Sequence, residues 1–96
     1  MITLEQAKNL QYGDHIYYVD AGRKGFRIYR VKVNGKPQTW KRHPLRVRIP
    51  CKYGLYQYFD IWHWDLDANY LTEQEAKEAC AQLNKSEFIA DKTITA

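Results

Sequence analysis

Five short runs of β-branched and aromatic residues, separated by tight-turn signals, fall within fewer than 70 residues. They are His15-Ile16-Tyr17-Tyr18-Val19, Phe26 to Val33, Pro37 to Lys41, Leu45-Arg46-Val47-Arg48-Ile49 and Leu55 to Trp64. Each reads as a strand, because branched and flat side chains suit a pleated surface. Gly13-Asp14, the loop Asp20 to Gly25, Asn34-Gly35 and Tyr53-Gly54 punctuate them. Asn34-Gly35 is the strongest hairpin signal, since both residues tolerate positive φ. Pro37 has no amide hydrogen to donate, which confines it to the first position of a return strand.

The alternation within the runs predicts which side chains are inside. Leu45, Val47 and Ile49 share one face, and Arg46 and Arg48 share the other. In the second run the phase changes midway: Phe26 and Ile28 lie on one face, and Tyr29, Val31 and Val33 on the other. A slip of one residue predicts a bulge or a sharp bend. Leu55 to Trp64 is apolar on both faces. Leu55, Phe59 and Ile61 are expected in the core. Tyr56, Tyr58, Trp62 and Trp64 are expected to pack beneath a C-terminal helix, the alternative being an exposed platform for a base or a peptide.

Two capping boxes mark helices at the ends. Thr3-Leu4-Glu5-Gln6 starts a helix of about two turns that stops near Leu10, before Gly13. Thr72-Glu73-Gln74-Glu75 starts a second, with Leu71 able to staple onto Ala76. Ala76, Ala79, Cys80 and Leu83 form its apolar stripe. Ninety-six residues make one domain, because two cores of half that size would each be too small. The expectation is therefore a mainly β domain over residues 1–85. It is a small SH3-like barrel of five strands, with a short N-terminal helix and a C-terminal helix over about 72–84. Residues 86–96 form a tail that either adds a strand or hangs loose.

Leu10-Gln11-Tyr12-Gly13-Asp14-His15-Ile16-Tyr17 resembles the entry strand of many SH3-like barrels, where a Gly-Asp turn precedes an apolar and aromatic strand. Further along stand Val33-Asn34-Gly35-Lys36, Thr39-Trp40-Lys41-Arg42, Pro44, Arg46-Val47-Arg48-Ile49-Pro50 and Lys52-Tyr53-Gly54-Leu55-Tyr56. With these the chain resembles a family of short, uncharacterised phage and prophage proteins over about residues 3–76. The resemblance implies an accessory protein acting in the cytoplasm of a bacterial host cell. It carries over no activity and no functional residue.

Charge is divided along the chain. Residues 21–59 carry eleven Lys and Arg and no Asp or Glu, while residues 60–96 carry eight acids and three lysines. The formal net charge of +4 conceals that division. No apolar run approaches the ~18 residues of a membrane span. The start, Met1-Ile2-Thr3-Leu4-Glu5, lacks the basic and apolar parts of a signal peptide. Cys51 and Cys80 are expected as free thiols in a reducing compartment, and neither belongs to a zinc-type Cys pair.

Catalytic patterns fail on inspection. Ser86 is the sole serine and has no nucleophile-elbow glycines around it. Cys51 beside His43 reads as a small buried hydrophobe rather than a nucleophile. Asp65-Leu66-Asp67-Ala68-Asn69 begins like a calcium loop but has Tyr70 where glycine is needed and Ala76 where glutamate is needed. The two aspartates are expected in a turn ahead of the second helix, complementing its dipole. No enzyme, no metal, no cofactor, no small-molecule substrate and no membrane partner are expected.

The basic stretch points to binding. Arg27, Arg30, Lys32, Lys41, Arg42, Arg46, Arg48 and Lys52 lie on strands or strand ends, with Trp40 and Tyr53 among them. Cations neutralise phosphates and release counterions, and flat rings stack on unpaired bases. The first expectation is a nucleic-acid-binding wall, with Trp40, Tyr53 or Trp62 stacking. The second is docking onto an acidic surface of a host protein, as a phage inhibitor of a defence protein would do, with Arg and aromatic side chains as anchors. The two readings turn on whether the acidic helix, with Glu73, Glu75 and Glu78, covers the wall.

Overall fold

The computed structural model describes residues 1–95. Thr3 starts helix α1 (Leu4–Lys8) with the expected reciprocal cap: Gln6 N–H donates to Thr3 Oγ1 at 3.1 Å, and Thr3 N–H donates to Gln6 Oε1 at 2.9 Å. Six strands follow: β1 (His15–Gly22), β2 (Gly25–Val33), β3 (Gln38–Trp40), β4 (His43–Tyr53), β5 (Gln57–Trp62) and β6 (Asn69–Tyr70). A 3-10 helix over His63–Ala68 separates β5 from β6, and helix α2 (Glu73–Thr95) ends the described chain. The domain is mainly β with added helices, and the strand over Asn69–Tyr70 raises the expected five to six.

All pairings are antiparallel. β6 pairs with β1, β1 with β2, β2 with the C-terminal part of β4, β3 with its N-terminal part, and β5 with the far edge of β4. Among the described residues no ladder joins β5 to β6, so the sheet is open. The hairpin expected at Asn34-Gly35 does not form. β2 and β3 both pair with β4 rather than with each other, and Asn34 N–H donates to Pro50 O at 2.8 Å as the chain crosses between them. Neither Asn34 nor Gly35 adopts positive φ, the conformation that tight hairpin turn requires. Tyr53-Gly54 does close the β4–β5 hairpin, with Gly54 at φ +67.

The phase change in β2 has a different cause from the expected bulge. Its register with β1 runs unbroken from Lys32 to Gly25. The strand is covered on both sides. Val31 and Val33 join Ile16, Val47, Ile49, Cys51 and Ile61 in the core, which Ala7 of α1, Ile2 and Leu10 on either side of it, and Leu66 of the 3-10 helix close. Phe26, Ile28 and the opposed Val19 lie on the other face, where α2 packs. Cys80 Sγ donates to Phe26 O at 3.0 Å, and Asn84 Oδ1 accepts from Phe26 N–H at 2.7 Å. The irregularity lies instead between Thr39 and Trp40, where β3 shifts against β4. That shift pushes Pro44-Leu45-Arg46 outward and leaves Leu45 73% exposed, so only Val47 and Ile49 of the expected trio reach the core.

Thr72 caps α2 as expected, accepting from Glu75 N–H at 3.2 Å. The helix does not stop near Leu83. No glycine or proline follows Gly54, so nothing in the chain terminates it, and it continues to Thr95 through the segment expected as a tail; Ala96 lies outside the described residues. Asp65 caps the 3-10 helix rather than α2, accepting from Trp62 N–H at 3.3 Å. No described helix is long and apolar enough to cross a membrane.

Candidate nucleic-acid interface

The outer face of β3, β4 and β5 carries the site. β4 alternates, so Val47, Ile49 and Cys51 point inward and Arg46, Arg48 and Lys52 outward. The Tyr53-Gly54 hairpin sets the register that puts Trp62 opposite Arg48 and Tyr58 opposite Lys52. Gln38 lies on the other side of Arg48, and Trp40 follows Gln38 on the same face.

The three tryptophans of the chain meet there. Trp40 and Trp62 stack with ring centroids 6.1 Å apart and planes 19° apart. Trp62 and Trp64 stack at 5.0 Å and 8°. The Arg46 guanidinium lies over both ends of the first pair, 4.3 Å from the Trp40 ring centre and 5.6 Å from that of Trp62. A flat, weakly hydrated cation is favoured over such faces. His63 abuts Trp64 edge-on at 4.8 Å. Trp40 and Trp62 are half-buried, but Trp64 is 62% exposed and leaves the ladder open at one end. Beside it, Arg42, His43, Pro44, Leu45, Arg46 and His63 line an open cavity of about 380 Å³. His63 Nδ1, and Arg48 Nε opposite Trp62, are buried without a hydrogen-bond partner among the described residues.

The expected wall assembles in part. Trp40, Arg46, Arg48 and Lys52 share this face, and Lys52 sits 5.4 Å from the centre of the Tyr58 ring. Lys41 and Arg42 occupy the turn that ends the ladder. Lys32 pairs in register with Lys52, and Arg30 follows it along β2 toward α2. Arg27 and Tyr53 fall elsewhere. Arg27 lies opposite Asp20, with its side chain against Gly22 at the tip of the β1–β2 hairpin. Tyr53 points inward and meets Tyr29.

Trp62 and Trp64 correct a second expectation, because they do not pack beneath the C-terminal helix. α2 packs on β1, β2 and β6, and the tryptophans stack away from it, Trp62 half-buried and Trp64 exposed. The Trp-x-Trp spacing was the sequence signal, although Trp64 stands in the first turn of the 3-10 helix rather than on the strand. Among the described residues the one ion pair is Lys77 with Glu73, within α2 itself. The helix acids Glu75 and Glu78 instead take hydrogen bonds from Thr72 and Gln74.

Comparison of the chain with protein-family models, with curated proteins and with solved structures returns no match.

Proposed function

We propose that the domain is a non-enzymatic module that binds single-stranded nucleic acid on the outer face of β3, β4 and β5. The observation that carries this reading is the ladder Trp40–Trp62–Trp64 with Arg46 across it, set in a wall of Arg48, Lys52, Lys41 and Arg42. A base extends such a ladder at the open face of Trp64 without needing a particular sequence, because every base has a π-face. The flanking cations follow the phosphates and supply a salt-dependent share of the affinity. A duplex hides its base faces, so it reaches only the cations. In this reading the open sheet is a variant of the SH3-like barrel, and the chain is a phage accessory protein working in the host cytoplasm. Docking onto an acidic host protein is the second reading, favoured by the exposed Leu45 and Pro44 beside the ladder.

The three tryptophans are the only ones in the chain, so their fluorescence reports on this site alone. Titration with oligonucleotides at low ionic strength should quench it for single strands, more weakly for duplex. Absence of quenching and of any salt-sensitive binding to either form would overturn the proposal and leave the protein-docking reading.

A further inference from the structure

The inner face opens at the end that α1 leaves uncovered. There Tyr18, Asp20, Tyr29, Val31, Tyr53, Gln57 and Phe59 line a cavity of about 270 Å³. The volume lies just under the ~300–1,000 Å³ of pockets that hold whole small molecules, so it suits a headgroup or a side chain. Tyr29 and Tyr53 stand at 81° with centroids 5.7 Å apart, which makes two perpendicular walls. Tyr53 and Phe59 remain 38% and 39% exposed, apolar area that no described residue covers.

The charge here is opposite to that of the outer face. The cavity's one charged liner is Asp20. Its carboxylate accepts from the Tyr18 hydroxyl at 3.2 Å and from Ala21 N–H at 2.9 Å, and has no cation within 4.0 Å among the described residues. Arg27, its cross-strand neighbour, lies with its side chain against Gly22 and makes no ion pair with Asp20. Aromatic faces beside a carboxylate attract a cation. A bare ammonium would need several acceptors to replace its water, and the lone carboxylate already receives two donors, leaving Gln57 as the other side chain able to accept apart from the tyrosine hydroxyls. An ammonium wrapped in methyl groups needs none.

We infer that this cavity binds a methylated ammonium group, held by the faces of Tyr29, Tyr53 and Phe59 and by the charge of Asp20. The site is separate from the tryptophan ladder and does not depend on its function.

Nuclear magnetic resonance titration of the whole protein with tetramethylammonium, choline and a peptide bearing trimethyllysine tests it. Expected are shifts of the Tyr29 and Tyr53 ring signals with dissociation constants in the millimolar range or tighter. The neutral carbon isostere of choline, 3,3-dimethylbutan-1-ol, should bind at least about tenfold more weakly, the order expected for one cation–π site. Tyr29→Ala should abolish the shifts, Tyr29→Phe should preserve them, and Asp20→Asn should weaken binding several-fold. Unchanged tryptophan fluorescence shows that each variant is folded. Tighter binding of the peptide than of choline assigns the group to a modified protein, and the reverse assigns it to a free or lipid-borne headgroup. Equal binding of the neutral isostere, or no shift with any of the three cations, would overturn the inference.

Discussion

At the scale of single residues, two environments make quantitative predictions. Cys51 is buried between Val47, Ile49 and Ile61, and burial, with a smaller contribution from the charge of Asp60, pushes its thiol up to about 12 from an ordinary 9.0. The unfolded chain loses this proton near pH 9, while the folded one keeps it to near pH 12. Stability from this group is therefore complete below pH 9 and falls above it, by up to about 1.4 kcal/mol per pH unit. Other groups titrate in that window too, so the measure is the difference between the native chain and Cys51→Ala. The gap in urea midpoint between them should narrow from pH 8.5 to pH 10.5. The same burial predicts that alkylating reagents at pH 8 modify Cys80 well before Cys51. A second prediction concerns Gly25, at φ +111, where a Cβ would sit 2.5 Å from Asn84 Oδ1. Gly25→Ala combines backbone strain with a broken contact and should cost ~2–3 kcal/mol in a denaturant titration. Gly54→Ala, at φ +67 in open space, carries strain alone and should cost ~1 kcal/mol.

At the scale of elements, the strands and both caps were legible because their signals are local. Thr3 with Gln6 and Thr72 with Glu75 need only a few residues to satisfy the first amides of a helix. Partners across the sheet were not legible. Asn34-Gly35 has the right residues for a hairpin, yet Pro50 O takes the Asn34 amide and redirects the chain to the other half of β4. The doubled apolar phase of β2 was visible, but only the placement of α2 shows that it reflects two covered faces. The ladder was half legible. Arg46 and Arg48 point outward by alternation alone, whereas Trp40 and Trp62 meet only because β3 and β5 flank β4. The length of α2 was missed because a missing stop signal is weaker evidence than a capping box. Asn84 holds this helix in place by bonding Phe26 through both its oxygen and its nitrogen, at 2.7 and 3.4 Å. Asn84→Ala leaves that half-buried backbone amide unpaired and should cost ~1–2 kcal/mol in thermal or chemical unfolding.

At the scale of the whole molecule, the division of charge along the chain becomes a division in space only in part, because Arg30 and Lys32 lie on β2, one of the strands α2 packs on. α2 carries its acids on β1, β2 and β6, while Arg46, Arg48 and Lys52 stand on β4. If the helix does not neutralise the wall, two sets of substitutions separate cleanly. Arg46→Ala with Arg48→Ala should flatten the dependence of log affinity on log salt by ~0.7 for each lost phosphate contact on a single strand. Both side chains point out of the core, so the domain should stay folded, its unfolding midpoint lowered only by the loss of the Arg46 contacts with Trp40 and Trp62. Trp64→Ala should weaken single-strand binding by ~1–3 kcal/mol while leaving the salt slope unchanged, because stacking releases no counterions. Glu73→Gln, Glu75→Gln and Glu78→Gln together test the helix. At 0.15 M salt, charges more than ~8 Å apart are largely screened, so removing these acids should leave oligonucleotide affinity within about twofold. A gain of tenfold or more in affinity would show that the helix masks the wall, and that the wall's own charge is held in check within the molecule.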